Sequence, residues 1–139
     1  MKRFAEKFES HIFIIDSFSG QKIELPFPGY NMIPVDLNGD GVHELASALG
    51  EQSDRNIYNI EGNVLGSLGA RALISMASKF IDLPGEQIMA YFHDGRIKIF
   101  ADKNARDSGA AQKQYQHLYY HANHKLTAQG YNLVNLGGL

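Results

Sequence analysis

Short apolar runs separated by glycine-rich or acidic turns dominate the chain. Ile12–Ile15 and Lys22–Leu25 flank the turn Asp16-Ser17-Phe18-Ser19-Gly20, and read as strand, turn and strand. Pro26-Phe27-Pro28-Gly29 interrupts the pattern, because proline cannot donate to a ladder. Met32–Val35 is another short run, and Glu44–Leu49 follows as a strand after an acidic loop. Ile57–Ile60, Glu61-Gly62-Asn63 and Val64-Leu65 read as a hairpin. A second hairpin runs from Ile88–Phe92 through His93-Asp94-Gly95 to Arg96–Phe100, since Asp-Gly favours turns that match strand twist. Ile97 and Ile99 alternate with Arg96 and Lys98, the pattern of a half-buried strand. The first nine residues are charged and suit either a helix start or a strand.

The segment from Ala70 to Ile81 fits a helical face through Leu73, Ile74, Met76, Ala77 and Phe80, and equally two short strands. An internal repeat favours strand. Val35-Asp36-Leu37-Asn38-Gly39 aligns with Ile81-Asp82-Leu83-Pro84-Gly85 about 46 residues on, and Glu44-Leu45 with Glu86-Gln87. Ile57–Gly62 aligns with Ile12–Asp16 upstream and with Ile97–Asp102 downstream. Spacings of roughly 40–46 residues suit four-stranded propeller blades. The expected fold is therefore mainly β: one domain of about three blade-like antiparallel units, approximately 10–65, 66–102 and 103–139. Propellers need at least about four blades, so these units are expected to be the end of a longer propeller, with an assembly of short chains or a small open β-sheet protein as the alternatives; in the first case Met1-Lys2-Arg3 is a shortened beginning. Beyond Ala101, Asp107 or Ser108 can cap a helix over Ala110–Leu126 that Gly130 ends. Tyr131–Leu136 reads as a last strand.

Composition narrows the function classes. Apolar residues make up 44% of 139 residues, enough for a core without staples. Thirteen Lys and Arg against fifteen Asp and Glu give a net charge of −2, without the basic surplus of a nucleic-acid binder. Cysteine is absent, which excludes disulfides, thiolate metal sites and cysteine nucleophiles. The run Ile12–Ile15 is too short for an export signal core or a membrane span, so neither membrane insertion nor a signal peptide is expected.

The sharpest chemical motif is Asp36-x-Asn38-x-Asp40-Gly41-x-x-Glu44. Oxygen-bearing side chains at positions 1, 3 and 5, a glycine at 6, a carbonyl from Val42 at 7 and a carboxylate at 9 form a set of hard ligands suited to Ca²⁺. An EF-hand needs Glu at position 12, where this chain has Ser47. Asp36, Asn38, Asp40, Val42 and Glu44 are the expected ligands, and His43 is expected to face outward. The competing reading is an Asp/Asn/Gly-rich turn without metal. Asp82 and Glu86 occupy the corresponding place in the second unit, where a degenerate turn is expected.

His117, His121 and His124 stand at offsets of four and seven, one face of a helix. Three imidazoles can hold zinc, but a solvated or substrate-facing stripe explains them as well. Tyr115, Tyr119, Tyr120, Tyr131, Arg96, Lys125 and Gln129 surround them in sequence. Aromatic rings with amides and cations suit a sugar cleft, with His117, Tyr119, Tyr120, His121, His124 and Gln129 as candidate contacts; the alternative is that half of the tyrosines are core. Asp94 and Glu61 read as turn residues.

The calcium loop between strands resembles the integrin-α-like (FG-GAP) repeats of bacterial β-propellers. The wider chain resembles the C-terminal part of the rhamnogalacturonan lyase family, through Asp82–Met89, Asp94–Phe100, Tyr119-Tyr120 and Gln129-Gly130-Tyr131-Asn132. That resemblance implies a secreted, extracellular or periplasmic polysaccharide lyase acting on a pectic substrate by β-elimination, or a non-catalytic relative. In such a reaction a cation or arginine neutralises the uronate carboxylate and a lysine or tyrosine removes the C5 proton. Lys125, Tyr131 and Arg96 are the residues the resemblance points to. The sequence departs from the family after Glu86 and at Leu133–Leu136. The other expected class is a non-enzymatic carbohydrate- or protein-binding module with integrin-like calcium repeats.

Overall fold

The computed structural model describes residues 14–15, 18–24, 26–27, 32–47 and 55–128. The expected strand at Tyr131–Leu136, together with Gln129, Tyr131 and the first nine residues, lies outside the described residues. Nine short strands and two helices make up the described chain. β1 (Ile14–Ile15) and β2 (Lys22–Ile23) pair as a small hairpin. β3 (Met32–Val35), β4 (Glu44–Ser47), β5 (Asn56–Tyr58) and β6 (Val64–Ser67) form a four-stranded antiparallel meander in sequence order. β7 (Leu73–Ser78), β8 (Gln87–Tyr91) and β9 (Ile97–Phe100) form a three-stranded one. α1 (Gly109–Tyr115) and α2 (Leu118–Ala128) follow.

The fold is mainly β, and Ala70–Ile81 contains strand β7 rather than helix. The alternation within it is broken at Ser75, where a bulge shifts the register between Ile74 and Met76. The bulge puts Ile74 and Met76 on opposite faces of the sheet, and both are buried while Ser75 is exposed. Among the described residues the sheets form no closed ring of blades. The expected single helix is two. Ser108 caps α1 by accepting the Ala111 N–H at 3.1 Å. The His117 ring then takes the same role for α2, its Nδ1 accepting the Tyr119 N–H at 3.2 Å. Among the described residues no helix is long and apolar enough to cross a membrane.

The two larger sheets share one core. Val35, Leu37, Ala46 and Ile57 from the first meet Ile74, Ile88, Ala90 and Phe92 from the second. The contact runs along β3 and β7, the first strand of each sheet. Burying one apolar side chain contributes about 1.5–3 kcal/mol, so this shared cluster holds the sheets together and fixes their loops side by side. Arg96 and Lys98 place their cations about one ring's width over Phe92, 5.3 and 5.1 Å from its centroid, at the rim of that core.

Candidate metal loop

The loop from Asp36 to His43 joins β3 to β4. It closes on itself through side chains that accept backbone N–H groups, as short Asx residues do in turns. Asp36 Oδ1 accepts from Gly39 at 2.9 Å and Oδ2 from Gly41 at 3.1 Å. Asn38 Oδ1 accepts from Asp40, and Asp40 Oδ1 accepts from Val42. Glu44 turns back to accept the Leu37 N–H at 2.8 Å. Gly39 and Gly41 adopt φ of +78° and +91°, which side chains rarely do. A Cβ on Gly39 would also press on the Arg106 carbonyl at 2.8 Å.

Three of the expected side chains, Asn38, Asp40 and Glu44, are joined directly. The Asn38 amide nitrogen donates to Asp40 Oδ2 at 3.0 Å and to Glu44 Oε1 at 2.9 Å, linking two carboxylates. Asp36 is fully buried, Glu44 is buried and Asp40 is exposed, so the acidic set runs from the interior to the surface. Burial, reinforced by the charges of Asp36 and Asp40, pushes the Glu44 carboxyl up to about 7 against the lowering effect of the Leu37 N–H. An oxygen-only set with this excess of negative charge fits a hard divalent cation. Asp36, Asn38, Asp40, Glu44 and the Val42 carbonyl are the groups that would hold one, with Asn38 presenting its oxygen in place of its nitrogen. His43 does not face outward: it is half-buried, with Nε2 3.2 Å from the Gln114 amide nitrogen on α1.

Residues beyond the motif lock the loop from behind. The Glu86 carboxylate accepts the Asp36 N–H at 2.7 Å, and the Asp36 carbonyl accepts the Glu86 N–H at 2.7 Å. Tyr120 donates its hydroxyl proton to Glu86 Oε1 at 2.7 Å, and Tyr115 donates to Asp36 Oδ2 at 3.0 Å. Burial and these neighbouring carboxylates raise both phenols well above the ordinary tyrosine range. On the other side, Arg106 and Ser108 donate backbone N–H groups to the carbonyls of Asn38 and Gly39, and the Ser108 hydroxyl donates to the Asp40 carbonyl.

The second interstrand loop, 79–86, has the same length but its own resident cation. The Lys79 ammonium donates to the carbonyl of Leu83 at 2.8 Å, to that of Gly85 at 3.4 Å and to Asp107 Oδ2 at 2.7 Å. Gln87, fully buried, accepts the N–H groups of Phe80 and Ile81 and donates to the Gly85 carbonyl. Gln87 therefore stands to this loop as Glu44 stands to the first. The structural repeat matches Glu44 with Gln87 rather than with Glu86, and Asp36 with Lys79 rather than with Asp82. Asp82 is exposed, as a plain turn residue would be.

Arg96 is paired with Asp94 across the β8–β9 turn, Nη2 to Oδ2 at 2.6 Å. Lys125 is exposed in the last turn of α2. Tyr120 is buried, its ring 5.4 Å from that of Tyr115 and its hydroxyl taken up by Glu86 and Lys79. His117, Tyr119 and His121 are exposed and His124 is half-buried. Among the described residues no three His, Cys, Asp or Glu side chains form a ready metal-holding group. Comparison with protein-family models, curated proteins and solved structures finds no match.

Proposed function

We propose that this chain is a calcium-binding β module of propeller-blade type, in which the Asp36–Glu44 loop holds one Ca²⁺ that stabilises the fold. One observation carries the reading: three carboxylates and an amide lie in one nine-residue loop, with Glu44 driven toward its neutral form by burial and by Asp36 and Asp40. A bound cation neutralises that charge and lets the loop carry all its carboxylates ionised.

Of the two classes open to such a module, non-enzymatic binding has the better support. The lyase chemistry that the family resemblance implies would call on Arg96 to meet a uronate carboxylate, and Asp94 already engages that guanidinium. The proposed ligand class is carbohydrate, met by the half-exposed Tyr119 ring with the exposed His117 and His121 beside it. Retention on a pectic polysaccharide matrix, without release of unsaturated uronate ends, is the expected result.

The metal reading is tested by thermal unfolding in excess EDTA and in excess Ca²⁺. A ligand at 100 times its Kd adds about 2.7 kcal/mol to stability. The midpoint of the wild type should rise with Ca²⁺, and that of Asp40→Ala should not. Equal midpoints for the wild type in both conditions would reduce the loop to an ordinary acidic turn.

A further inference from the structure

Asn38 is the one asparagine of this chain that is followed by glycine. Asparagine is among the heat-labile residues, and its lability has a covalent cause. The backbone nitrogen of the next residue attacks the side-chain carbonyl carbon. A bond forms between that nitrogen and Cγ, the bond from Cγ to the side-chain nitrogen breaks, and ammonia leaves with the proton given up by the backbone nitrogen. Water then opens the succinimide ring at either carbonyl, giving aspartate or the isoaspartyl form, in which the main chain runs through the side chain. Glycine at the next position favours ring closure, because no Cβ obstructs the approach and its backbone turns freely.

The folded loop pins each group that this reaction moves. The attacking nitrogen, on Gly39, donates its proton to the buried Asp36 carboxylate, 2.9 Å from Oδ1. The leaving nitrogen of Asn38 donates to Asp40 Oδ2 at 3.0 Å and to Glu44 Oε1 at 2.9 Å, and Asn38 Oδ1 accepts the Asp40 N–H at 2.8 Å. The peptide units on either side of Gly39 are fixed from outside the loop. The Arg106 N–H donates to the Asn38 carbonyl at 3.0 Å, and the Ser108 N–H to the Gly39 carbonyl at 2.7 Å. Ring closure has to break the side-chain bonds of Asn38 and take the Gly39 proton from Asp36.

We propose that Asn38 is a site of spontaneous covalent modification, converting to aspartate and isoaspartate at a rate set by opening of the 36–43 loop from its anchor at Arg106 and Ser108. Either product changes the loop. Aspartate at this position has no N–H to place between Asp40 and Glu44, and sets a further negative charge beside them. The isoaspartyl form lengthens the main chain, so the carbonyls that meet Arg106 and Ser108 lose their register. The proposal rests on bonds within the protein and not on the calcium reading, so either can fail while the other stands.

The experiment ages the full chain at neutral pH and one fixed warm temperature, folded and in guanidinium chloride. Products are mapped by mass spectrometry of proteolytic peptides, and isoaspartate is counted by enzymatic methyl transfer. In denaturant the wild type should convert at Asn38 ahead of every other asparagine, into both products. The folded wild type should convert at the same residue at least about tenfold more slowly, equivalent to a loop-opening cost of about 1.4 kcal/mol or more. Ser108→Ala removes the hydroxyl that bonds the Asp40 carbonyl and caps α1. It should speed conversion in the folded protein by about fivefold and leave the rate in denaturant unchanged. Ser108→Thr, which keeps a hydroxyl, should convert at the wild-type rate. Circular dichroism checks that both variants fold. Equal wild-type rates in the two conditions overturn control by the loop, and first conversion at another asparagine overturns the site. A folded Ser108→Ala that converts no faster than the wild type overturns the anchor. The wild-type comparison decides the proposal even where Ser108→Ala fails to fold.

Discussion

Glu86 and Asp36 hold each other through their backbones and one side chain. The Glu86 carboxylate accepts the Asp36 N–H, and the Asp36 carbonyl accepts the Glu86 N–H, both at 2.7 Å. This reciprocal pair joins the first residue after β3 to the last before β8, so the two interstrand loops are built against one another. The same carboxylate takes the Tyr120 proton, which ties α2 to the junction.

Removing that carboxylate strands two buried donors. An unsatisfied buried polar group costs about 1–3 kcal/mol, so Glu86→Ala should lose roughly 2–5 kcal/mol of stability, measured by urea unfolding. Tyr120→Phe, which removes only the hydroxyl, should cost less. An Glu86→Ala midpoint equal to the wild type would show the junction to be dispensable.

Asn38 sits where charge is most crowded. Asn38→Asp replaces an amide that bridges Asp40 and Glu44 by a third like charge in the outer loop. In EDTA the variant should melt below the wild type. In saturating Ca²⁺ the gap should close or reverse, because the added carboxylate is a better cation ligand than an amide. Parallel losses in both conditions would separate Asn38 from metal binding.

Two glycines with the same backbone conformation should respond differently to alanine. Gly85 has φ +69°, and a Cβ there runs into the Leu37 carbonyl oxygen. Gly95 has φ +85° and open space around it. Gly95→Ala should cost about 1 kcal/mol for backbone conformation alone. Gly85→Ala adds a clash at the loop junction and should cost several times more, on the order of 3 kcal/mol or above. Chemical unfolding of the two variants checks the ratio.

Asp107 supplies the acid sensitivity. Burial pushes its carboxyl upward, but the Lys79 ion pair and the Gly85 N–H outweigh it and hold it below its ordinary value of 3.8. A carboxyl lowered in the folded state stabilises the fold above its unfolded value, and that contribution is lost as pH falls through the lower folded value. Asp107→Asn should therefore destabilise the protein at neutral pH and converge with the wild type at the acid end. Asp94, also lowered by Arg96 but at the surface, should show no such pattern, since exposed pairs contribute little.

The strands were legible because their turns are: Asp94-Gly95, Glu61-Gly62 and the acidic loop punctuate runs with clear alternation. β7 was ambiguous because the bulge at Ser75 breaks a period of two into something that also suits a helix. The Asp-Leu-x-Gly strings align the repeat out of step with the structure, because the feature that recurs is a side-chain acceptor at the start of the second strand, Glu44 or Gln87. Sequence order also hid the partners of the loop. Tyr115 and Tyr120 look like sugar-facing aromatics until α1 and α2 fold back and bring their hydroxyls to Asp36 and Glu86. Lys79 gave no signal, because an ammonium that gathers carbonyls and a carboxylate within a loop has no motif.

The attachment of Arg106 and Ser108 to Asn38, Gly39 and Asp40 has a consequence for the order of assembly. On a ribosome the acidic loop emerges almost seventy residues before the Ser108 that will hold its Asp40 carbonyl. Until then the carbonyls of Asn38, Gly39 and Asp40 lack the donors from Arg106 and Ser108, although β4 already has β5 beside it and β3 already has β7. The loop and the start of α1 are thus expected to become protected from hydrogen exchange in a single late step, and in the finished protein to open together, the amide of Ser108 exchanging at the pace of the amides of Gly39 and Gly41.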